Sequence, residues 1–509
     1  MRLLMLRVII VASFLTCSSV VSAQTPPIQN APPQGILIKG GTVVDGTGGP
    51  SRAADLRIAG DSIVEIGPGL TAKPGERVID ATGRVVSPGF IDMHSHAAGS
   101  IDEHPDAASQ IRQGVTTSLV GQDGGGDLPV FDFLQHINSL HPAINLMTSV
   151  GHGTVRSLVM GGDFKRAATP AEIETMKALV ERGMKDGAVG LSSGLEYDPG
   201  FYATVDELAA LASVIKPYGG FYSSHVRDEE NDVMAAWSEA IEIGRRAGVA
   251  VEISHMKLAS TPVWGKSTDA LALVADARKR GQDVTGDWYP YQYWQSSMYV
   301  LIPDRNFDNV AEWQKGLDEI GGPQNVLVTN YRPDPTWNGH TVAELAAAQH
   351  LDAAALIVQM VKTAGPEIGI IGTAMQESDM VAIFKDPAVI ICSDGNLSGR
   401  HPRGYGAFPR VLARYVREQH AVSLEEGVAK MTGRSAARLR LADRGVLAAG
   451  KKADVVVFDV ATIADRGTPQ DPSQPPVGID YVLVNGEVAL DLAGLTTARP
   501  GRALKYGTK

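Results

Sequence analysis

Residues 88–96 read PGFIDMHSH, and this stretch decides the fold. Residues 89–93 are an apolar strand candidate that runs directly into His94 and His96. Side chains two apart in a strand point to the same side, so both imidazoles can reach one metal ion. Two unrelated surface histidines are the alternative, but the pair ends an apolar strand in a chain with only 12 histidines. The stretch therefore predicts a metal site at the end of a buried strand.

Seven further apolar runs follow and alternate with amphipathic helical patterns. They cover residues 115–120, 145–150, 188–192, 220–224, 249–254, 283–288 and 388–392. Eight strands separated by helices predict an α/β fold, a (β/α)8 TIM-like barrel, whose active site lies at the carboxyl ends of the strands. The stretch of about 295–365 is too long for an ordinary connection, so we expect an inserted subdomain there.

Short alternating runs near both chain ends predict a small β-sandwich beside the barrel. The expected organisation is a first sandwich part at 35–87, a metallo-hydrolase barrel at 88–435 and a second sandwich part at 436–509. A Pro/Gln-rich linker at 24–34 precedes them. Residues 1–23 carry Arg2 and Arg7 around a short apolar stretch and end in Val21-Ser22-Ala23, which predicts a cleaved signal peptide and a periplasmic or secreted protein.

Composition narrows the choice of partners. The chain has 46 basic and 57 acidic residues, a formal net charge of -11, which disfavours nucleic acid. The first apolar stretch is too short to span a bilayer comfortably, and no later one is long enough, so no membrane association is expected after signal cleavage. Cys392 would be the only cysteine after that cleavage, so no intrachain disulfide is possible. The expected partner is a small molecule, and the oligomeric state stays open.

Three more candidate residues follow later strands. His225 follows the fifth strand, His255 the sixth and Asp394 the eighth. Either histidine alone would more often be structural, and Asp394 precedes a glycine in a common turn dipeptide. Together with the first pair, however, four histidines at three strand ends match imidazole ligation of Zn²⁺ or a similar ion. A carboxylate beside such an ion can accept and deliver a proton.

Several longer strings resemble the D-aminoacylase (N-acyl-D-amino-acid deacylase) family of the amidohydrolase superfamily. They are GLSSGLEYDPG at 190–200, HVRDE at 225–229, ISHMK at 253–257, DWYPY at 287–291 and HPRGYGAFPRVL at 401–412. The resemblance runs from about residue 35 to 486. It implies a barrel with a companion sandwich and a metal-dependent hydrolase.

The resemblance also implies roles for individual residues. His94 and His96 would bind one metal position, His225 and His255 the other, and Asp394 would be the catalytic acid/base. Asp123, in the string GQDG at 121–124, takes the place of the family's usual cysteine. We interpret Asp123 as a metal ligand, although it could be a loop residue without metal contact. The expected cofactor is one or two Zn²⁺ ions, with another divalent metal possible.

The family's substrate contacts map onto four residues here. Arg403 would hold the α-carboxylate of the acyl amino acid, because a guanidinium suits a carboxylate through two parallel hydrogen bonds. Lys257, Tyr289 and Tyr197 match other positions that line the substrate pocket. Each has a structural alternative: Lys257 could extend to solvent, Tyr289 could belong to a turn, and Tyr197 could only pack. Trp288 and Trp294 could line the pocket or belong to the core.

The sequence thus predicts an enzyme that hydrolyses a linear amide, with N-acyl-D-amino acids as the leading substrate class. The D preference is implied by the resemblance alone. A dipeptidase or another amide hydrolase on the same scaffold is the first alternative. A non-catalytic exported binding protein is the second, and the four histidines with Asp394 argue against it.

Overall fold

The structure is a computed structural model that describes residues 35–303 and 305–507. The predicted signal peptide at 1–23 and the linker at 24–34 lie outside these residues. Within the described chain, no helix is both long and apolar enough to cross a membrane.

Secondary structure covers most of the described chain. The strands are β1 Gly35–Val43, β2 Arg52–Ala59, β3 Ser62–Gly67, β4 Glu76–Asp80, β5 Val85–Pro88, β6 Phe90–Asp92, β7 Val115–Val120, β8 Asn145–Thr148, β9 Val150–Gly151, β10 Gly190–Gly194, β11 Phe221–His225, β12 Ala250–Ile253, β13 Val284–Trp288, β14 Tyr293–Ser297, β15 Val326–Asn330, β16 Gly369–Thr373, β17 Val389–Ile391, β18 Val455–Phe458, β19 Ile479–Val484, β20 Glu487–Asp491 and β21 Gly494–Leu495. The α-helices are α1 Ala108–Ile111, α2 Val130–Leu140, α3 His152–Met160, α4 Pro170–Asp186, α5 Val205–Ile215, α6 Val233–Ala247, α7 Ser267–Lys279, α8 Val310–Glu319, α9 Val342–Gln349, α10 Ala353–Ala364, α11 Glu377–Lys385, α12 Arg403–Arg410, α13 Leu424–Met431 and α14 Gly433–Arg438. A π-helix, Val411–Glu418, continues α12.

The centre of the molecule is a parallel barrel. Strands β6, β7 and β8 pair in that order, and β9 to β13 pair in chain order with β17 beyond β13. Two contacts join these sheets into a ring: the Val189 amide donates to the Thr148 carbonyl at 2.9 Å, and Ser95 forms a parallel bridge with Gly395. Counting β8 and β9 as one bent strand gives eight, and the predicted (β/α)8 barrel is confirmed.

The barrel strands and helices follow from their residue patterns. β7 and β11 are buried at every position, as parallel strands covered on both faces must be. The helix α4 begins at a capping box, in which Thr169 and Glu172 bond each other's backbone amides. It buries Met176, Val180 and Met184 on one face and ends at Gly187. Such helices cover the outside of the barrel. The polar side chains described below therefore lie at the carboxyl ends of the strands.

Both chain ends contribute to a separate nine-stranded sheet. Its order is β21-β20-β19-β18-β5-β1-β2-β3, with β4 also paired to β1. A bulge between Ile38 and Gly41 divides β1, whose first half pairs with β4 and whose second half pairs with β5. This change of partner lets the sheet enclose its own apolar core, which includes Ile38, Leu56 and Val455. The predicted companion β unit from both chain ends is thus present.

A smaller antiparallel sheet lies between barrel strands β13 and β17 in the chain. Its order is β14-β16-β15, and the helices α8, α9 and α10 belong to the same segment. These elements occupy 293–373, around the stretch of about 295–365 that we expected to be an insertion. Trp294 in β14 lies on the side of this segment that meets the barrel pocket described below.

Candidate metal centre and active-site pocket

Six side chains from the carboxyl ends of the barrel strands converge on one point. They are His94 and His96 after β6, Asp123 after β7, His225 at the end of β11, His255 after β12, and Asp394 after β17. Their ligand atoms form two groups, each with all atoms within 4.8 Å of one another. One group contains His94, His96, Asp123 and Asp394, and the other contains Asp123, His225 and His255. Asp123 is the residue that the two groups share.

The distances within the groups fit a divalent metal. The Nε2 atoms of His94 and His96 each lie 3.3 Å from an Asp123 oxygen. The His225 Nδ1 and His255 Nε2 atoms are 3.0 Å apart, and His255 Nε2 is 3.5 Å from Asp123 Oδ1. Tetrahedral zinc with bonds of about 2.0–2.1 Å to its ligands places neighbouring ligand atoms about 3.4 Å apart. The observed separations are close to this value.

Unsatisfied polar atoms support the same interpretation. Both ring nitrogens of His94, whose side chain is fully buried, lack a hydrogen-bond partner, and so does Asp123 Oδ1. A buried polar atom without a partner is costly unless something else binds it. These histidine and carboxylate donors suit Zn²⁺ or a similar ion, so the residues present fit the predicted cofactor.

The backbone is strained at three of these positions. Asp123, His255 and Asp394 have φ angles of 53°, 32° and 51°, in a region that residues other than glycine seldom adopt. Such strain persists where the surrounding structure requires a particular geometry, which is often at functional sites. Gly194 makes room for this geometry, since a Cβ there would lie 2.3 Å from the Asp123 carbonyl oxygen.

The two carboxylates are held in their charged form. Burial alone would raise the pKa of Asp123, but the surrounding histidines His94, His255 and His96 hold it well below its usual range. Burial opposes the charge of Asp394 as well, and the Arg403 guanidinium, with nearby histidines, keeps its pKa far below normal. Arg403 Nη1 lies 2.7 Å from Asp394 Oδ2.

Two glutamates that the sequence analysis did not select hold the second pair of histidines. The His225 Nε2 atom lies 2.8 Å from Glu196 Oε2. Glu229 lies 3.0 Å from His255 Nδ1 and accepts two hydrogen bonds of 2.7 Å from the Lys257 amine. Their only signal in the sequence was their place inside the family strings at 190–200 and 225–229.

The centre opens into a pocket of about 350 Å³, which Lys257, Arg403 and Tyr197 border. The Tyr289 ring lies beneath two cations, 4.9 Å from the Arg403 guanidinium and 5.6 Å from the Lys257 amine. Its hydroxyl has no hydrogen-bond partner, and burial raises the pKa of Tyr289 to about 12. Tyr197 packs on the His225 ring at 4.4 Å. All four predicted substrate-contact residues therefore lie around the centre.

His401 fixes the start of the helix that carries Arg403. Its Nδ1 accepts the Arg403 backbone amide at 2.9 Å, and its Nε2 lies 3.0 Å from the Tyr293 carbonyl oxygen. Because Nδ1 is an acceptor here, the proton belongs on Nε2, which donates to Tyr293. Burial holds the pKa of His401 well below its usual range, so the neutral ring suits both bonds.

The two tryptophans divide between core and site. Trp288 is buried between Phe384 and Tyr415, with ring centroids 5.0 Å away in both cases, and belongs to the core. Trp294 is only 6% exposed and borders the pocket. Cys392 is a buried free thiol behind Asp394.

Comparison with known proteins shows the family to which the chain belongs. The amidohydrolase family model matches residues 77–315 and 336–490, so the chain belongs to the amidohydrolase family. Among characterised relatives, it is 38% identical to an N-acyl-D-glutamate deacylase of Alcaligenes xylosoxydans xylosoxydans, over 92% of this chain and 96% of that protein. A D-aminoacylase of the same organism is 36% identical, over 93% and 98%.

A solved structure of an N-acyl-D-glutamate deacylase is also similar to this chain in fold and in sequence. The N-acyl-D-glutamate deacylase of Bordetella bronchiseptica, complexed with zinc and a phosphonate mimic of the tetrahedral intermediate, has a TM-score of 0.83 to this chain. The two are 36% identical, and the match covers 92% of this chain and 99% of the other. The family match and the structural similarity to a relative complexed with zinc agree with the histidine and carboxylate donors of the six-residue centre.

Proposed function

We propose that the protein is a metal-dependent amidohydrolase that removes the acyl group from N-acyl-D-amino acids, giving a carboxylate and a free D-amino acid. One observation carries this proposal: Arg403, Lys257 and the unpartnered Tyr289 hydroxyl meet beside the two histidine groups. A substrate with a free α-carboxylate next to its amide matches that arrangement. The relatives of 36–38% identity, which are named for D-configured substrates, support the stereochemistry.

In this proposal the metal would be held by His94, His96, Asp123, His225 and His255, and Asp123 belongs to both groups of candidate ligand atoms. Zn²⁺ bound there supplies a Lewis acid that polarises a carbonyl and lowers the pKa of water. Glu196 and Glu229 orient the imidazoles of His225 and His255 through the 2.8 and 3.0 Å contacts described above.

Asp394 is the proton carrier. Its carboxylate accepts the proton of the attacking water and then delivers it to the departing amine nitrogen, so no net proton remains on the enzyme. The low pKa that Arg403 and the histidines impose ensures that Asp394 is ionised before the reaction.

Arg403, Lys257 and Tyr289 bind the α-carboxylate and thereby fix the scissile carbonyl relative to the metal ligands. Such positioning converts a two-body encounter into a reaction within one complex. Tyr197 forms the wall beside His225. His401 holds Arg403 in place from behind.

We also propose an export route and a domain organisation for the chain. The chain would be exported through a cleaved signal at 1–23 and would act in the periplasm or outside the cell. Its barrel would span 88–435 and carry the insertion, with sandwich parts at 35–87 and 436–509.

The test is a chiral assay of the zinc-loaded protein. Matched pairs of N-acetyl-D- and N-acetyl-L-amino acids are supplied, and the free amino acid is measured by mass spectrometry. We expect release from the D-enantiomers, and we expect Arg403→Lys to raise KM more than it lowers kcat, because a single ammonium replaces a two-pronged contact. Absence of release from any acylated amino acid would overturn the proposal.

A further inference from the structure

The proposed anchors for the α-carboxylate lie on one arc of the barrel. Counted around the ring from β6, Lys257, Tyr289 and Arg403 follow the sixth, seventh and eighth strands, which are β12, β13 and β17. In an acylated amino acid, the carboxylate and the acyl group lie on opposite sides of the scissile amide bond. A substrate held by these anchors therefore directs its acyl group across the centre, toward the loops after the second, third and fourth strands.

Those three loops border a groove of about 440 Å³, called here the far groove. Its walls come from the segments 123–125 after β7, 153–158 in α3 and 194–200 at the end of β10. Asp123, which belongs to both groups of candidate metal ligands, borders the far groove as well as the active-site pocket. The far groove therefore lies beside the candidate metal centre, across the ring from the anchors.

The residues of the far groove suit an uncharged, apolar group. Leu158, Pro199 and Tyr197 border it, and Leu158 is 63% exposed. Its charged members are the acids Asp123 and Asp198, and no lysine or arginine of the described chain borders it. Exposed apolar surface gains when an apolar group covers it, whereas a second carboxylate on the substrate would meet like charges.

Arg305 is a cation that approaches Asp198, but its contacts hold it outside the far groove. Its Nη2 lies 3.9 Å from Asp198 Oδ1 and donates to the Glu196 backbone carbonyl at 2.8 Å. Its guanidinium lies 4.2 Å from the Tyr299 ring centroid. Since Arg305 does not border the far groove, it offers no direct partner to an acidic acyl group there.

Gly125 leaves space at the point where an acyl chain would leave the centre. It borders both the active-site pocket and the far groove. Its φ lies outside the left-handed region, so the backbone does not require a glycine there. A Cβ would lie 3.4 Å from the Gln122 carbonyl oxygen, which is an ordinary contact distance. The fold can therefore accept a side chain at position 125, and this side chain would occupy the space beside the centre.

We propose that the far groove binds the acyl group and that the preferred substrates carry an uncharged acyl chain longer than acetyl, of the medium-chain fatty acyl type. This inference rests on the proposed deacylase function and specifies the acyl side of its substrate. The chain passes over Gly125 and packs against Leu158, which makes Leu158 a specificity-determining residue. Dicarboxylic acyl groups such as succinyl are disfavoured.

The experiment varies the acyl group on one amino acid, D-norleucine, with the zinc-loaded wild-type protein. Hexanoyl adds four methylenes to acetyl, and a fully buried methylene is worth about fourfold in binding, so a half-buried one is worth about twofold. We therefore expect kcat/KM for the hexanoyl substrate to exceed that for the acetyl substrate about tenfold or more. The butanoyl substrate should exceed the succinyl substrate, which has the same chain length, about tenfold or more.

Two variants test the path of the acyl chain. Leu158→Asp places a charge against the chain, and Gly125→Val fills the space beside the centre. Each should lower the ratio of the hexanoyl to the acetyl kcat/KM about tenfold. Zinc is counted in both, because Gly125 is close in sequence to Asp123.

Leu492→Asp is the matched control. Leu492 is 74% exposed and lies between β20 and β21 in the sheet of the chain ends. The same change of leucine to aspartate there should leave the hexanoyl-to-acetyl ratio within about twofold.

A second pair of substrates, N-acetyl-D-alanine and N-acetyl-D-norleucine, separates the acyl side from the amino-acid side. If Leu158→Asp changes the ratio of this pair and not the hexanoyl-to-acetyl ratio, the far groove holds the amino-acid side chain and the inference is wrong. A wild-type hexanoyl-to-acetyl ratio near one would also overturn it, as would succinyl turnover equal to butanoyl turnover. These wild-type ratios need no variant, so they test the inference even if Gly125→Val fails to fold. Release without acyl preference refutes only this inference, whereas no release from any substrate refutes the deacylase function as well.

Discussion

Replacing Asp394 by Asn tests the proposed proton carrier most sharply. The amide keeps the shape of the carboxylate but cannot accept and return a proton. General acid–base catalysis contributes about 10²–10⁴-fold, so kcat should fall by that factor, which corresponds to about 3–5 kcal/mol in the activation barrier. The zinc content should stay near that of the wild type, because Asp123 and the four histidines remain.

The same change carries a structural cost that must be separated from catalysis. Asp394 and Arg403 form an ion pair in which the side chains are only 5% and 8% exposed. Leaving the guanidinium without its partner costs about 3–5 kcal/mol in the free energy of unfolding. The thermal unfolding midpoint of the variant is therefore measured first, and turnover is assayed at a temperature below it. The control is Asp276→Asn, at an exposed site of α7.

The assay measures the release of free amino acid from N-acetyl-D-norleucine and the zinc content of the same preparation. Loss of turnover with zinc retained and the protein folded is the expected result. Turnover within tenfold of the wild type in a folded, zinc-loaded variant would show that Asp394 does not carry the proton.

Three further changes test other parts of the site and fold. Glu229→Gln removes the charge that faces Lys257 and should lower the unfolding free energy by about 3 kcal/mol, measured by denaturant titration; no loss would mean that the pair is not buried in solution. Gly194→Ala would force a Cβ within 2.3 Å of the Asp123 carbonyl oxygen, so we expect weaker zinc binding by calorimetry, and unchanged affinity would contradict the close approach. Burial lowers the pKa of Lys430 to about 8, whereas the unfolded chain keeps that proton up to about pH 10.5. Unfolding therefore takes up a proton between these pH values, and the unfolding free energy of the wild type relative to Lys430→Met should rise by up to about 1.4 kcal/mol per pH unit; parallel curves would refute the shift.

The barrel and the centre of the site were predictable because they depend on position along strands. His94, His225 and Asp394 each stand at or just after the end of a strand candidate, and parallel strands in a barrel bring their carboxyl ends together. Asp123 was identified through its string, since a single aspartate after a strand is also a common turn residue.

The remaining parts of the site depend on contacts that periodicity does not encode. Glu229 and Glu230 follow β11 in an irregular loop, where sequence spacing does not determine which side chain enters the pocket. Trp288 and Trp294 lie only six residues apart in the sequence, yet one joins the core and the other borders the pocket. Only the tertiary packing of β14 against the barrel distinguishes them.

The central claim is that the protein deacylates D-configured substrates with a metal held by the four histidines and Asp123. The most direct measurement is to remove metal from the purified protein with a chelator and then titrate Zn²⁺ back. Bound zinc is counted by plasma mass spectrometry, and turnover of N-acetyl-D- and L-norleucine is followed in the same samples. The account predicts that turnover is lost with the metal, returns as zinc binds to at most two sites per chain, and is confined to the D-enantiomer. Full turnover by the metal-free protein, or faster release from the L-enantiomer, would contradict it.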